Sequence, residues 1–140
     1  MTNTKDTEKC TKGTKENTRF DELSGKVIGC AIEVHRALGP GLFESAYSQC
    51  LLHELVLSKL AVEAEVALPI RCKNIEVPAG YRIDLLVENI LILELKSVER
   101  LLPVHEAQLL TYMRLSGVRT GLLINFNTRR LKEGIKRYGI

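Results

Sequence analysis

The chain has 140 residues, of which 45% are hydrophobic, as expected for one globular domain. Its formal net charge of +3 is too small to argue for or against nucleic-acid binding. The four cysteines are far apart, unlike the close pairs of zinc sites, and no apolar run reaches the roughly 20 residues of a membrane span. We therefore expect reduced thiols, no zinc cluster, no membrane segment and a cytoplasmic location.

The N-terminal segment is rich in Thr, Lys, Asn and Glu. It lacks the apolar centre of a secretory signal, and it is too polar to bury itself. The sequence predicts that residues 1–19 are a disordered polar tail and that residues 20–140 form a single domain.

Two helices are predicted next, separated by the Gly-Pro-Gly sequence at 39–41. Gly accepts positive φ and Pro cannot continue a helix. The first helix starts near Asp21, and its apolar face repeats every three or four residues: Leu23, Val27, Ala31, Val34 and Leu38. The second runs from about 42 to 60, and its predicted core face is Phe43, Ala46, Tyr47, Cys50, Leu51, Leu55 and either Val56 or Leu57.

Three strands follow, within 62–72, 75–88 and 90–98. The first alternates apolar and acidic side chains, as a half-buried strand does. The short sequences "KN" and "EN" between them are predicted turns. The three strands therefore form an antiparallel meander.

A helix and a further strand are predicted after the meander. Pro103 suits the first helical position because its missing N–H is not needed there, and Gly117 ends the helix. The side chains predicted to face the sheet are Val104, Ala107, Leu109 or Leu110, Met113 and Leu115. The strand at 118–126 returns by a crossover and should be parallel to its neighbour. The basic C-terminal segment fits either a short strand or a helix. This order predicts an α/β sandwich with a mixed sheet and helices packed on it.

The stretch "ILILELKS" at 90–97 raises a chemical question, because this apolar strand ends in Glu94 and Lys96. Charged side chains are rare in cores unless they are paired or bound. Counting back from the predicted turn places Asp84 opposite Glu94 or its neighbour. Adjacent carboxylates raise each other's pKa, and a hard cation such as Mg²⁺ removes the conflict.

Lys96 shares a strand face with Glu94, since side chains two residues apart point the same way. Its ammonium would there orient a water molecule or stabilise charge on a phosphate. The residues alone leave open a surface ion pair between Glu94 and Lys96, which would contribute little.

Several motifs in order carry a family resemblance. "GLFESAY" places Gly41, Glu44 and Tyr47 as Gly-x-x-Glu-x-x-Tyr, preceded by "HRALGPG" and followed by "YRIDLLVE", "ILELKSVE" and "HEAQLLTYMRLSG". Over about residues 23–126 the chain resembles the GxxExxY family of small bacterial and archaeal proteins, which is grouped with the PD-(D/E)XK nuclease superfamily. The resemblance implies a restriction-endonuclease-like sandwich with the order helix, helix, three-stranded meander, helix, strand.

The resemblance also implies a metal-dependent phosphodiesterase site using Mg²⁺ or Mn²⁺. Asp84 and Glu94 would be metal ligands, Glu44 an additional acidic ligand, and Lys96 the catalytic lysine. "QLLTY" is similar to the Gln-x-x-x-Tyr element of exonuclease-like members. Gln108 would be catalytic and Tyr112 substrate-binding, one turn apart on one helix face.

Three further residues are candidates for substrate binding, each with a structural alternative. Arg82 would bind phosphate or pair with an acid. His35 would line the site or cap its helix, where a C-terminus favours a cation. Tyr47 would contact substrate or pack in the core.

The leading hypothesis is a metal-dependent nuclease acting on nucleic acid, with DNA favoured over RNA. The alternative is a non-catalytic nucleic-acid-binding or assembly module that keeps the fold. A nuclease restrained by another chain is a third reading that no motif supports. Because the domain is small, we also expect a homo-oligomer, most simply a two-fold dimer.

Overall fold

The computed structural model of the chain describes residues 14–78 and 80–140, with side chains from Asp21 onward. Most of the predicted tail, residues 1–13, lies outside this range. The first helix begins at Thr14, so its first turns overlap the segment predicted as tail. The domain boundary near residue 20 stays a prediction.

The described residues form three α-helices and seven strands. In chain order they are α1 (Thr14–Leu38), α2 (Glu44–Leu57), β1 (Val62–Ala67), β2 (Ile70–Cys72), β3 (Ile75–Val77), β4 (Arg82–Val87), β5 (Leu91–Lys96), α3 (Pro103–Ser116), β6 (Thr120–Asn125), a 3-10 turn (Leu131–Gly134) and β7 (Ile135–Gly139). The predicted order of helices, meander, helix and strand is confirmed. The C-terminal segment, left open by the sequence, is a 3-10 turn followed by a strand.

The main sheet has the strand order β1-β4-β5-β6-β7. β1, β4 and β5 pair antiparallel, β5 and β6 pair parallel, and β7 is antiparallel to β6, so the sheet is mixed as predicted. β2 and β3 form a separate two-stranded hairpin between β1 and β4. The "KN" turn is the tip of this hairpin, and the meander itself is β1-β4-β5.

Backbone conformation explains where the elements end. Gly39 ends α1 with φ of 71°, and its N–H donates to the carbonyl of His35 at 2.7 Å. Gly117 ends α3 in the same left-handed region, with φ of 79°. Glu88 and Asn89 turn β4 into β5 with φ of 53° and 59°. The predicted breaks at these three places are confirmed.

The two faces of the sheet bury separate apolar clusters. α1 and α2 cover one face, and α1 contributes the predicted residues Leu23, Val27, Ala31 and Val34. α3 covers the other face through Leu109, Tyr112 and Met113. α3 packs closely on β6, because a Cβ at Gly121 would lie 3.0 Å from side chains of Leu109 and Met113. The sheet, with β5 in it, lies between these two helical layers.

Some predicted core positions are wrong. Phe43 is 86% exposed, because α2 begins one residue after it. The other residues that were predicted in the core but are exposed are Val56, Leu57, Val104, Ala107 and Leu115. The residues of α3 that are buried against the sheet are instead Leu109, Tyr112 and Met113. No helix within residues 14–78 and 80–140 has the length and apolar character needed to cross a lipid bilayer.

Candidate active site

The β-ladder is interrupted at Asp84 on both of its sides. In the β1–β4 pair the register continues on each side of this position, but Glu65 and Asp84 are not ladder partners, and Glu65 has φ of 51°. In the β4–β5 pair the regular partners begin at Leu85 and Leu93. Ile83 packs on the α3 face whereas Leu85 packs on the opposite face. The usual alternation of side chains is therefore broken at Asp84.

Carboxylates replace the missing ladder bonds. The backbone N–H of Asp84 donates to Oε1 of Glu94 at 3.3 Å, and the N–H of Leu95 donates to Oδ2 of Asp84 at 2.9 Å. Each carboxylate therefore bonds to the backbone of the other strand. These two bonds hold Asp84 and Glu94 side by side between the strands.

Burial dominates the electrostatics of this pair. The side chain of Glu94 lies on the α3 face and is among the buried charged residues, only 3% exposed. Burial, with the negative charge of Asp84 as the second cause, raises the pKa of Glu94 to about 8. Burial also raises the pKa of half-buried Asp84, although the Leu95 N–H and then the Lys96 ammonium act in the opposite direction.

The donor set fits a hard divalent cation. Two carboxylates that repel each other in a partly apolar setting favour a cation that neutralises both, and Mg²⁺ is commonly held by one or two carboxylates plus water or phosphate. Within the part of the chain that the structure describes, no group of three or more His, Cys, Asp or Glu side chains is arranged to hold a metal ion. Asp84 and Glu94 are therefore the two protein carboxylates around which such a site would form.

Lys96 is held by a polar chain that runs along α3. Its Nζ donates to Oε1 of Gln108 at 2.7 Å, and Nε2 of Gln108 donates to the hydroxyl of Tyr112 at 3.1 Å. Burial raises the pKa of Tyr112, and the carboxylates of Glu94 and Asp84 add to this. Their charges therefore reach the Tyr112 hydroxyl. The sequence-predicted residues Lys96, Gln108 and Tyr112 thus lie together beside the carboxylate pair.

Glu44 lies at the edge of the same site. It is the first residue of α2 and its side chain is exposed. Its negative charge is close enough to contribute to the raised pKa of Asp84. A carboxylate at a helix N-terminus is also favoured by the helix dipole.

Tyr47 and His35 lie in the layer behind the site. The Tyr47 ring is fully buried and stacks on Phe126 at a centroid distance of 4.5 Å. Its hydroxyl donates to the carbonyl of Gly39 at 2.6 Å. Nε2 of His35 donates to the carbonyl of Thr128 at 2.7 Å. In these positions Tyr47 has no surface for a substrate, and both side chains order loops behind the site.

Arg82 is exposed at the start of β4. Its Nη1 donates to the backbone carbonyl of Glu65 at 3.4 Å. Among the described residues it forms no salt bridge, so the predicted pairing with an acid is not observed. Its guanidinium remains available to an anion.

The loop after Lys96 is fixed by Asn125 and Ser97, which were not predicted from the sequence. Asn125 is 2% exposed, and its side chain accepts from the N–H of Val98 at 3.0 Å and donates to the Val98 carbonyl at 2.9 Å. Ser97 Oγ donates to the carbonyl of Leu42 at 2.5 Å. A polar residue ending the apolar strand β6 was the one available signal for Asn125.

Comparison with known proteins gives one result. A family model described as the PD-(D/E)XK nuclease superfamily matches residues 21–138. Searches of curated proteins and of solved structures found no significant match. The matched range includes the main sheet except for its last residue, Gly139, and it includes every predicted site residue. Nucleases of this superfamily generally hydrolyse phosphodiester bonds. Because the match spans most of the chain, including the strands that bring Asp84, Glu94 and Lys96 together, this protein belongs to the PD-(D/E)XK nuclease superfamily.

Proposed function

We propose that the protein is a Mg²⁺- or Mn²⁺-dependent nuclease that hydrolyses phosphodiester bonds of DNA by attack of an activated water. The observation that carries this proposal is the carboxylate pair of Asp84 and Glu94 in the interrupted ladder, with Lys96 two residues after Glu94. A structural role alone would not favour burying two neighbouring carboxylates, because each makes the other harder to ionise. We also propose membership of the GxxExxY family, supported by the spacing of Gly41, Glu44 and Tyr47.

Asp84 and Glu94 are the proposed metal ligands, with Glu44 as an outer acidic residue. When bound, the divalent cation supplies Lewis acidity at the phosphate and lowers the pKa of a coordinated water. The exposed carboxylate of Glu44 is suited to accept hydrogen bonds from water at the edge of the site.

Lys96 is the proposed catalytic cation. Its ammonium is oriented by the Oε1 atom of Gln108, and Gln108 is itself oriented by Tyr112. A pre-oriented ammonium stabilises negative charge that develops on a phosphate oxygen without reorganising during the reaction. Gln108 and Tyr112 are also the proposed contacts for the substrate strand, since they adjoin Lys96.

Arg82 is the proposed phosphate-binding residue outside the metal site. An exposed guanidinium without an ion pair among the described residues is available to a phosphate oxygen. For Tyr47 and His35 we propose a positioning role, since both hold loops next to the site. A homodimer and a cytoplasmic location remain predictions from the sequence.

The experiment is cleavage of labelled single- and double-stranded DNA and RNA, with Mg²⁺ or Mn²⁺ and with EDTA. Wild type is compared with Glu94→Ala and Lys96→Ala. Glu106 and Lys136 offer a matched control, because they form an exposed Glu–Lys pair at 2.9 Å on the protein surface.

We expect metal-dependent cleavage that both site variants lose and that Glu106→Ala and Lys136→Ala retain. No cleavage by wild type, or cleavage that Glu94→Ala and Lys96→Ala keep, would contradict the proposal. The alternative would then be a nucleic-acid-binding or assembly module.

A further inference from the structure

Two exposed aromatic side chains lie next to the candidate site. Phe43 is 86% exposed and directly precedes Glu44, and Tyr81 is 45% exposed and lies three residues before Asp84. Single exposed apolar residues need no explanation. The two rings belong to different layers of the fold. Phe43 precedes α2, which packs on one face of the sheet, and Tyr81 contacts Tyr112 of α3, which packs on the other face.

The exposure of Phe43 is built into an ordered loop. The carbonyl of Leu42 accepts from Ser97 Oγ at 2.5 Å, and the N–H of Leu42 donates to the Tyr47 hydroxyl at 3.1 Å. Tyr47 is in turn stacked on buried Phe126. The backbone that carries Phe43 is therefore fixed both to the loop that follows β5 and to α2. A ring held in water on a fixed backbone is pre-organised for a flat apolar partner.

Tyr81 is connected to the site lysine through side chains. Its ring meets that of Tyr112 edge to face, with centroids 6.4 Å apart and an interplanar angle of 66°. The Tyr112 hydroxyl accepts from Gln108, which accepts from Lys96. Arg82 follows Tyr81 in the chain and is also exposed. Exposed aromatic rings together with a nearby cationic side chain are features of sites that bind single-stranded nucleic acid.

We propose that Phe43 and Tyr81 are stacking platforms for two unpaired bases that flank the phosphate at Asp84 and Glu94, so that the substrate is single-stranded nucleic acid. In a duplex the faces of internal bases are covered by their neighbours, whereas in a single strand they are free to stack on aromatic rings. The inference rests on the proposed function for the position of the phosphate.

The test measures binding, separately from cleavage. Fluorescence anisotropy in EDTA compares a labelled single-stranded DNA with a duplex of the same sequence. The variants are Phe43→Ala, Tyr81→Ala and Tyr81→Phe, and the last keeps the ring. Val56→Ala and Ile75→Ala are matched controls, because these residues are 55% and 67% exposed and lie on the distal end of α2 and on β3.

We expect Phe43→Ala and Tyr81→Ala each to weaken single-strand binding roughly tenfold. Tyr81→Phe and both controls should bind as wild type does, and duplex binding should change little. Unchanged single-strand affinity in both alanine variants, or an equal loss for duplex and single strand, would overturn the inference. If these binding losses occur but no metal-dependent cleavage is found, the stacking sites stand and the proposed nuclease activity fails. If cleavage depends on Glu94 and Lys96 but the two alanine variants bind single strands as wild type does, the proposed nuclease activity stands and the stacking sites fail.

Discussion

The two ends of the β4–β5 pair differ in how they are held together. Next to the turn at Glu88 and Asn89, the strands pair in regular register, and Val87 and Leu91 are fully buried. At the other end the ladder stops, and the carboxylates of Asp84 and Glu94 bond to the opposite backbone. The same two strands thus form the core at one end and hold two neighbouring carboxyl groups at the other. The residues that stabilise the fold and the residues proposed for function are separated along one hairpin.

Burial also has opposite effects at the two ends of this strand pair. At the turn end, next to Glu88 and Asn89, apolar burial stabilises the folded state. At the open end, which holds Asp84 and Glu94, burial works against the ionised form of Glu94. The second arrangement persists because the rest of the sheet is stable enough to hold it. Variants at each end should therefore change different properties of the protein.

The largest effect on stability is expected from Leu93→Ala. Leu93 is fully buried at the regular end, and removing its side chain leaves a cavity that should cost about 2–5 kcal/mol of unfolding free energy. Urea denaturation measures the change, with exposed Ile75→Ala as the control. Cleavage per folded molecule should remain near that of wild type. A loss of stability no greater than in Ile75→Ala would contradict the claim that the end of the β4–β5 pair next to the turn stabilises the fold.

A pH-dependent effect is expected from Glu94 at the open end. The pKa of Glu94 is about 8 in the folded protein against 4.5 for an ordinary glutamic acid side chain, so between these values the folded state holds a proton that the unfolded state has lost. The unfolding free energy in EDTA should therefore fall as the pH rises from about 4.5 to about 8. Asp84, whose pKa is also raised, contributes in the same direction.

Glu94→Gln removes the larger part of this dependence. Its unfolding free energy should exceed that of wild type increasingly as the pH approaches 8, measured by urea denaturation at a series of pH values. Glu106→Gln is the control, because the pKa of exposed Glu106 is lowered, chiefly by its hydrogen bond with Lys136, and its titration lies below this window. Parallel pH curves for wild type and Glu94→Gln would show that Glu94 is ionised at neutral pH.

A smaller effect is expected from Gln108→Ala. Without the Oε1 acceptor, Lys96 loses its orienting contact at 2.7 Å, and the cleavage rate should fall about tenfold. Gln108→Glu restores an acceptor and should recover part of the rate. Stability should change by about 1 kcal/mol or less, as for one hydrogen bond. Equal rates for Gln108→Ala and wild type would remove Gln108 from the positioning of Lys96.

Much of the fold was predictable from local patterns. The apolar face of α1 follows a helical repeat, and Gly39, Gly117 and the Glu88–Asn89 turn mark breaks that the backbone adopts. Counting from that turn was enough to bring Asp84 close to Glu94. The helix spacing of Gln108 and Tyr112 placed them on one face, as their hydrogen bond shows.

Other features depend on the tertiary structure. Glutamate rarely adopts positive φ, so nothing in the sequence indicates the conformation of Glu65. The interrupted ladder could therefore not be predicted. Exposed Phe43 was predicted in the core because the helix was expected from about residue 42, whereas it begins at Glu44 and leaves Phe43 outside. The bond from Ser97 to Leu42 joins residues 55 positions apart, and no local pattern indicates it.

The most direct test of the central claim is calorimetric titration of Mn²⁺ into wild type and into Asp84→Asn and Glu94→Gln, with Glu106→Gln as the control. If the open end of the β4–β5 pair is a metal site, wild type and Glu106→Gln should bind Mn²⁺ with similar affinity, and both site variants should bind at least about tenfold more weakly. Equal binding in all four proteins, or no binding by wild type, would show that Asp84 and Glu94 do not form a metal site.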